Sequence, residues 1–290
     1  MTSLDQRLSA LGLEPDASRR VVRGFLEEDL SAEWTDVTSS SIFPADEVAT
    51  AYLVPRQTGT LAGLPLAHLV FDELDAATEF DYHAKEGARL NPGSSIASVT
   101  APVRTLLSGE RTALNLLCRL TGVATHTRAF VDLVEHTNTL VLDTRKTTPG
   151  LRSFEKYAVR AAGGTNKRMG LYDVAMIKDN HKEAAGSITA AFNAVRGAHP
   201  DVEIQVEVES LEEALEAVGA GAGFLLLDNL SPKETAEIVE AVGDRCDLES
   251  TGNITLDNAG DYAETGVDFF SVGALTHSSP IVDIGLDMRE

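Results

Sequence analysis

DTRKTTPGLRSFEKYAVRAAGGTNKRMGLYDVAMIKDNH, residues Asp143 to His181, is the stretch on which the reading of this chain turns. Its 39 residues hold eight of the chain's 24 Lys and Arg against four acids, a local charge of +4 in a chain of −21. A cationic island in so anionic a protein focuses field lines onto an anionic ligand. Arg145 and Lys146 follow the apolar run TLVLD, and Lys178 follows VAMI. Both runs read as short buried strands, which puts these charges at strand ends. Lys167 and Arg168 come just after Gly163 and Gly164, in a segment too rich in turn formers for a helix interior. Arg152, Lys156 and Arg160 recur at i,i+4 and are expected on a solvated helix face.

Beyond this stretch, short apolar strands alternate with amphipathic helices, the pattern of parallel βα units. Strands are expected near 139–143, 174–178, 203–208, 223–228, 246–250 and 268–272. Six such units suggest a barrel, with an open doubly wound sheet as the competitor. In the strand IQVEVE, Ile204, Val206 and Val208 share the face that takes the helices, while Gln205, Glu207 and Glu209 share the other. Lys146, Lys178, Glu207, Asp228, Glu249 and Ser271 all fall at C-terminal strand ends, where barrels gather their functional groups.

The first third reads as an α+β layer. A helical stretch over 1–30 leads to a Ser/Thr-rich loop at Thr35–Ser41. Strands are expected at 49–57, 79–84 and 95–99, with a helix over 65–74 and a turn at Asn91–Gly93. A long helical region then runs over 102–136, with breaks expected near Ser108 and Gly122.

Composition excludes several classes. No apolar run reaches membrane-spanning length, and the N-terminal twenty residues show no basic then apolar secretory pattern, so a cytoplasmic location is expected. Cys118 and Cys246 make neither a disulfide framework nor a metal cluster, and the seven histidines show no zinc spacing. Forty-five acids against 24 bases disfavour a nucleic-acid partner. The same acid excess suits a protein kept soluble in concentrated salt. Its melting temperature is expected to rise from dilute buffer to molar potassium chloride; a protein most stable in dilute buffer would contradict this.

Several segments together resemble the quinolinate phosphoribosyltransferases, also called carboxylating nicotinate-nucleotide pyrophosphorylases. They are ERTALN at Glu110–Asn115, DTRKTTPGLR at Asp143–Arg152, EKYAVR at Glu155–Arg160, NKRMGLYD with IKDNH through His181, VEVES around Glu207, LLDN around Asp228 and SVGALTHS at Ser271–Ser278. The resemblance implies an N-terminal α+β sandwich domain plus an open α/β barrel of six or seven parallel strands. The first domain is expected over 1–114, joined by 279–290, and the barrel over 115–278. It further implies phosphoribosyl transfer from phosphoribosyl pyrophosphate to quinolinate with loss of carbon dioxide, giving nicotinate mononucleotide. Mg²⁺ and a homodimer with shared sites are implied, and the chemistry calls for no organic cofactor.

Quinolinate is a planar dianion, for which Arg145, Lys146, Lys167, Arg168 and Lys178 supply guanidinium and ammonium groups. The resemblance adds Arg111, reaching across from a partner subunit. Glu207 and Asp228 are the hard oxygen donors for the metal, directly or through water. The 5-phosphate is expected at Thr251, Gly252 and Asn253 and at Ser271, Gly273 and Ala274. Catalytic roles fall to Lys146, Lys178, Glu207 and Asp228. Glu209 and Glu249 are further candidates near the metal, and His181 and His277 are expected to orient backbone. Trp34 is read as core or interface packing. The chain departs from the usual family pattern at Ala162, in place of a glycine, at Lys167, in place of a histidine, and at Thr251–Asn253, in place of a serine and two glycines. Rival readings are transfer to a related acceptor such as nicotinate, a Schiff-base lyase acting through Lys146 or Lys178, and a non-catalytic binder of phosphorylated metabolites.

Overall fold

Apolar spacing alone reads the first thirty residues as one helix; Gly12, at φ +72°, divides them into two. The first is α1 (Leu4–Ala10), whose Ser3 and Gln6 form a reciprocal capping box. The second, α2 (Pro15–Leu30), starts with Pro15 in its first turn and the Glu14 carboxylate accepting from the Asp16 and Ala17 N–H groups. A computed structural model describes residues 3–288. Met1 and Thr2 of the expected helical stretch, and Arg289 and Glu290 of the returning tail, lie outside the described residues.

Contacts divide the chain into two units, one of residues up to 126, 148–163 and 279 onward, the other of 127–147 and 164–278. Elements are numbered in chain order. The first unit holds α1, α2, α3 (Val37–Ile42), β1 (Val48–Pro55), β2 (Gly59–Thr60), α4 (Leu64–Leu74), β3 (Glu79–Tyr82), β4 (Arg89–Leu90), β5 (Ala97–Pro102), the start of α5 (Val103–Val134), α6 (Arg152–Ala161) and the last strand, β12 (Ile284–Asp287). Its antiparallel sheet runs β12-β1-β5-β3, and β2 pairs β4. The expected Ser/Thr loop contains α3, because Asp36 caps it by accepting from the Thr38 and Ser39 N–H groups. Gly63 precedes α4 and has no side chain to cap it. Glu86 serves instead, accepting from the Gly63 and Leu64 N–H groups at 2.8 and 3.0 Å. Its burial pushes the carboxyl up to about 7 against those two bonds.

The breaks expected near Ser108 and Gly122 do not occur; α5 is one helix of 32 residues. Its glycines permit close packing instead. A Cβ at Gly109 would come within 2.9 Å of Phe71 and Leu74, and one at Gly122 within 2.2 Å of the Pro280 carbonyl oxygen. Lys156 is also a correction: α6 buries Phe154 to Val159 in an unbroken row, and Lys156 with them, so it has no solvated charged face there. Ala162 caps α6 at φ −94°, where glycine is not required. Trp34 is 38% exposed at φ +50° and is no part of the core.

The second unit holds the end of α5, then β6 (Leu140–Leu142), β7 (Ala175–Ile177), α7 (Asp179–Ala185), α8 (Ile188–Ala198), β8 (Ile204–Val208), α9 (Leu211–Ala220), β9 (Phe224–Asp228), α10 (Pro232–Val242), β10 (Asp247–Thr251), α11 (Ala259–Ala263), β11 (Phe269–Ser271) and α12 (Ala274–His277). All six strands are parallel, in the order β6-β11-β10-β9-β8-β7. That order is cyclic in sequence except between β6 and β7, which do not pair. The result is an open α/β barrel. Thr165 bridges part of the gap, its N–H donating to the Val141 carbonyl and its carbonyl accepting from Asp143 N–H.

Strand alternation sorts the side chains as the sequence implies. Val206, Val208, Leu225, Leu227 and Leu248 enter a core with Phe192, Ala214, Ala217, Ile238 and Val242 from the helices. Gln205 and Glu207 take the opposite face of β8. Glu209 lies past the strand end and is exposed.

Candidate active site

The C-terminal strand ends of the second unit surround a cavity of about 580 Å³, within the range of small-molecule sites. Arg145, Lys146, Lys167, Arg168, Lys178, Glu207, Asp228, Thr251, Gly252, Asn253 and Ser271, all nominated from the sequence, line it. Gly273, Ala274 and Arg111 are not among the lining residues. Arg111 is an exposed residue of α5 in the first unit. Gly273 sits close behind the cavity: a Cβ there would meet Lys146 Cδ at 3.0 Å.

Five cations and two carboxylates in one lining give the cavity a positive field inside an acidic protein. Lys146 and Arg145 leave β6 in a turn held by Thr144, whose Oγ1 accepts from Lys146 N–H, and by Thr276, which donates to the Lys146 carbonyl at 2.9 Å. Arg168 donates to the Val174 carbonyl at 3.0 Å and contacts the Met176 sulfur. Burial, with Arg145 nearby, lowers the Arg168 pKa from the usual guanidinium value. The buried Asp143 carboxylate accepts from Asn166 Nδ2 at 2.6 Å and from Lys167 N–H at 2.8 Å, fixing the segment that carries these cations.

Lys178 pairs with Glu207, whose side chain is 7% exposed against 47% for the lysine. His181 Nδ1 accepts from Lys178 N–H at 3.0 Å, the backbone-orienting role expected of it. Lys167, where the resemblance leads one to expect a histidine, is 8% exposed in its side chain, and its Nζ lies 2.5 Å from Glu249 Oε1. Burial lowers the Lys167 pKa, with Glu249 opposing the shift and Lys178 and Arg168 adding to it. The Lys167 charge is therefore less permanent than that of an exposed lysine. Glu249 itself lies fully buried and outside the lining.

Asp228 ends β9, and the next residue is one that sequence reasoning quoted in LLDN without a role. Asn229, at φ +55°, donates from Nδ2 to Asp228 Oδ2 at 3.0 Å and accepts from Asn253 Nδ2 at 3.1 Å. Asn253 also adopts positive φ, +53°, a conformation asparagine tolerates better than most residues. Gly252, at +94°, lies where a Cβ would fall 2.2 Å from Asn229 Oδ1. Glycine is required here for both conformation and space. Gly252→Ala is expected to strain this loop by about 1–3 kcal/mol and to raise the KM for a phosphorylated co-substrate about tenfold or more, read by steady-state kinetics. Met176, Leu226 and Thr144 also line the cavity and were not nominated. For Met176 and Leu226 the signal is only the inward parity of their strand positions, and Thr144, in the turn after β6, gave none.

A parallel barrel whose strand ends gather five cations beside two carboxylates on neighbouring strands is a site suited to a small, multiply anionic ligand. The family models for quinolinate phosphoribosyl transferase match its N-terminal domain at residues 36–121 and its C-terminal domain at 123–287. The chain belongs to the quinolinate phosphoribosyl transferase family. It is 46% identical to the nicotinate-nucleotide pyrophosphorylase [carboxylating] of Mycobacterium leprae, over 95% of this chain and 98% of that one. With the probable enzyme of that name from Bacillus subtilis it shares 41% identity over 93% of each chain. The solved nicotinate-nucleotide pyrophosphorylase of Francisella tularensis superposes with a TM-score of 0.90 at 35% identity, covering 94% of this chain and 96% of that one.

Proposed function

We propose that this chain transfers the phosphoribosyl group of phosphoribosyl pyrophosphate to the ring nitrogen of quinolinate. Pyrophosphate and carbon dioxide leave, and nicotinate mononucleotide, a precursor of NAD, is formed. The observation that carries this reading is the cavity itself, with Arg145, Lys146, Lys167, Arg168 and Lys178 facing one small volume beside Glu207 and Asp228.

Two adjacent carboxylates on a flat ring suit the guanidinium planes of Arg145 and Arg168 and the ammonium groups of Lys167 and Lys178. Holding the dianion in this way orients its ring nitrogen toward the sugar carbon. Attack makes a pyridinium, whose positive nitrogen stabilises the electron pair left on the adjacent ring carbon as its carboxylate departs as carbon dioxide, and that carbon then takes up a proton. Lys146 supplies positive charge to the leaving pyrophosphate. The 5-phosphate fits the left-handed loop at Thr251–Asn253 and Ser271. Lys178 is engaged by the Glu207 carboxylate, which holds its side chain in the cavity wall.

Among the described residues no group of three or more His, Cys, Asp or Glu could hold a metal by itself. Glu207 and Asp228 nonetheless fit Mg²⁺ that arrives on the donor's phosphates, since Mg²⁺ keeps its waters and takes only one or two carboxylates in such sites. Bound there, it would neutralise charge on the leaving pyrophosphate. A homodimer with Arg111 donated from the partner subunit, and a cytoplasmic location, complete the proposal. Among the described residues no helix is long and apolar enough to cross a membrane.

The test is to follow nicotinate mononucleotide and carbon dioxide from quinolinate, phosphoribosyl pyrophosphate and Mg²⁺, at low and high salt, with nicotinate as comparison acceptor. Turnover of quinolinate alone is expected. Turnover of nicotinate alone, or of neither by folded protein at any salt, would overturn the substrate assignment.

A further inference from the structure

We propose that Glu249, which does not line the cavity, is a positioning residue for the phosphoribosyl acceptor, acting by holding the Lys167 ammonium in the cavity wall. The inference rests on the acceptor reading above and concerns Lys167, where the resemblance to the family leads one to expect a histidine. Glu249 is the mid-strand residue of β10, in register with Leu226 of β9, whose side chain lines the cavity. Strand alternation therefore turns Glu249 into the barrel, below the mouth. Its side chain is fully buried, and one carboxylate oxygen meets Lys167 Nζ at 2.5 Å. The other oxygen, also buried, has no hydrogen-bond partner.

A carboxylate buried with one oxygen unsatisfied is costly, and so is a lysine at 8% exposure. A histidine can be neutral at this position and needs no counter-charge; a lysine does. The cations and acids around Lys167 are Arg145 and Asp143 after β6, Arg168 on its own segment, Lys178 after β7, Glu207 on β8 and Glu249 on β10. Burial lowers the Lys167 pKa, Glu249 opposes that shift, and Lys178 and Arg168 add to it. Without Glu249 the ammonium would be lost at a lower pH and would no longer be tethered over the floor of the barrel. Lysine can replace histidine here because a buried carboxylate fixes it.

The experiment compares wild type, Glu249→Gln, Lys167→Met and the double variant by steady-state kinetics, by calorimetric binding of quinolinate alone and by thermal unfolding. Glu249→Gln is expected to raise the KM and Kd for quinolinate about tenfold while leaving the KM for the phosphoribosyl donor unchanged. The alkaline limb of quinolinate binding should move to lower pH. The double variant should bind quinolinate no worse than Lys167→Met and should melt higher than it, because removing Lys167 alone strands the Glu249 charge. If Glu249→Gln does not fold, the comparison of Lys167→Met with the double variant decides the matter. Equal losses for acceptor and donor, an unmoved pH limb, or additive losses in the double variant would overturn the proposal. A wild type that turns over nicotinate and not quinolinate would sink the acceptor reading instead, a result separable from all of these.

Discussion

Asp228→Asn is expected to lower kcat by about 10²–10³-fold, the usual cost of removing one group that stabilises transition-state charge, while calorimetric binding of quinolinate stays within about twofold. The amide keeps the shape of the side chain and its approach to Asn229. What it removes is a formal charge and a hard oxygen donor. Asp228 is the cleaner site for this test, because Glu207 is tied to Lys178 and its amide would also leave that cation without its partner. A kcat within threefold of wild type at saturating Mg²⁺ would remove Asp228 from the metal and leaving-group role.

The largest loss of stability is expected from Glu155→Ala, a residue of the first unit that takes no part in the cavity. Glu155 is fully buried in α6. Its Oε1 accepts from Arg119 Nη2 at 2.8 Å and from Thr148 Oγ1 at 3.0 Å, and its Oε2 accepts from Thr148 N–H at 3.0 Å. Truncation leaves a half-buried guanidinium without its counter-charge and a backbone N–H without its acceptor. Breaking a buried pair from one side costs about 3–5 kcal/mol, which urea unfolding will measure. A loss below about 1 kcal/mol would mean that water replaces the carboxylate without penalty.

Most of the barrel was legible because period-two alternation and βα spacing are local signals. Each of the six expected strands overlaps the observed one, the ends differing by a residue or two. The cavity's cations were legible for a related reason: a charge placed directly after an apolar strand has few places to go. Less legible was whatever depends on contacts made far along the chain. The breaks expected near Ser108 and Gly122 were misread because the close neighbours that Gly109 and Gly122 admit, Phe71 and Pro280, are distant in sequence. Lys156 read as solvated because i,i+4 spacing cannot report that α6 is enclosed. Asn229 went unassigned because its meaning lies in a side-chain bridge to Asn253, on another strand's loop. Glu249 was counted with the metal acids because it was expected at a C-terminal strand end, whereas β10 runs on to Thr251 and leaves it mid-strand. Its depth, which separates it from Glu207, is a tertiary property.

The order of strands in the first unit bears on how the chain is made. β12, residues Ile284–Asp287, pairs antiparallel with β1, residues Val48–Pro55. At translation speeds of roughly 5–20 residues per second, more than two hundred residues separate the birth of β1 from that of its edge partner. For some tens of seconds the emerging sheet offers a row of unpaired N–H and C=O groups, the kind of template other chains can join. A ribosome-bound nascent chain of this protein should therefore depend on chaperones until β12 has emerged, and should become resistant to aggregation as that strand pairs with β1.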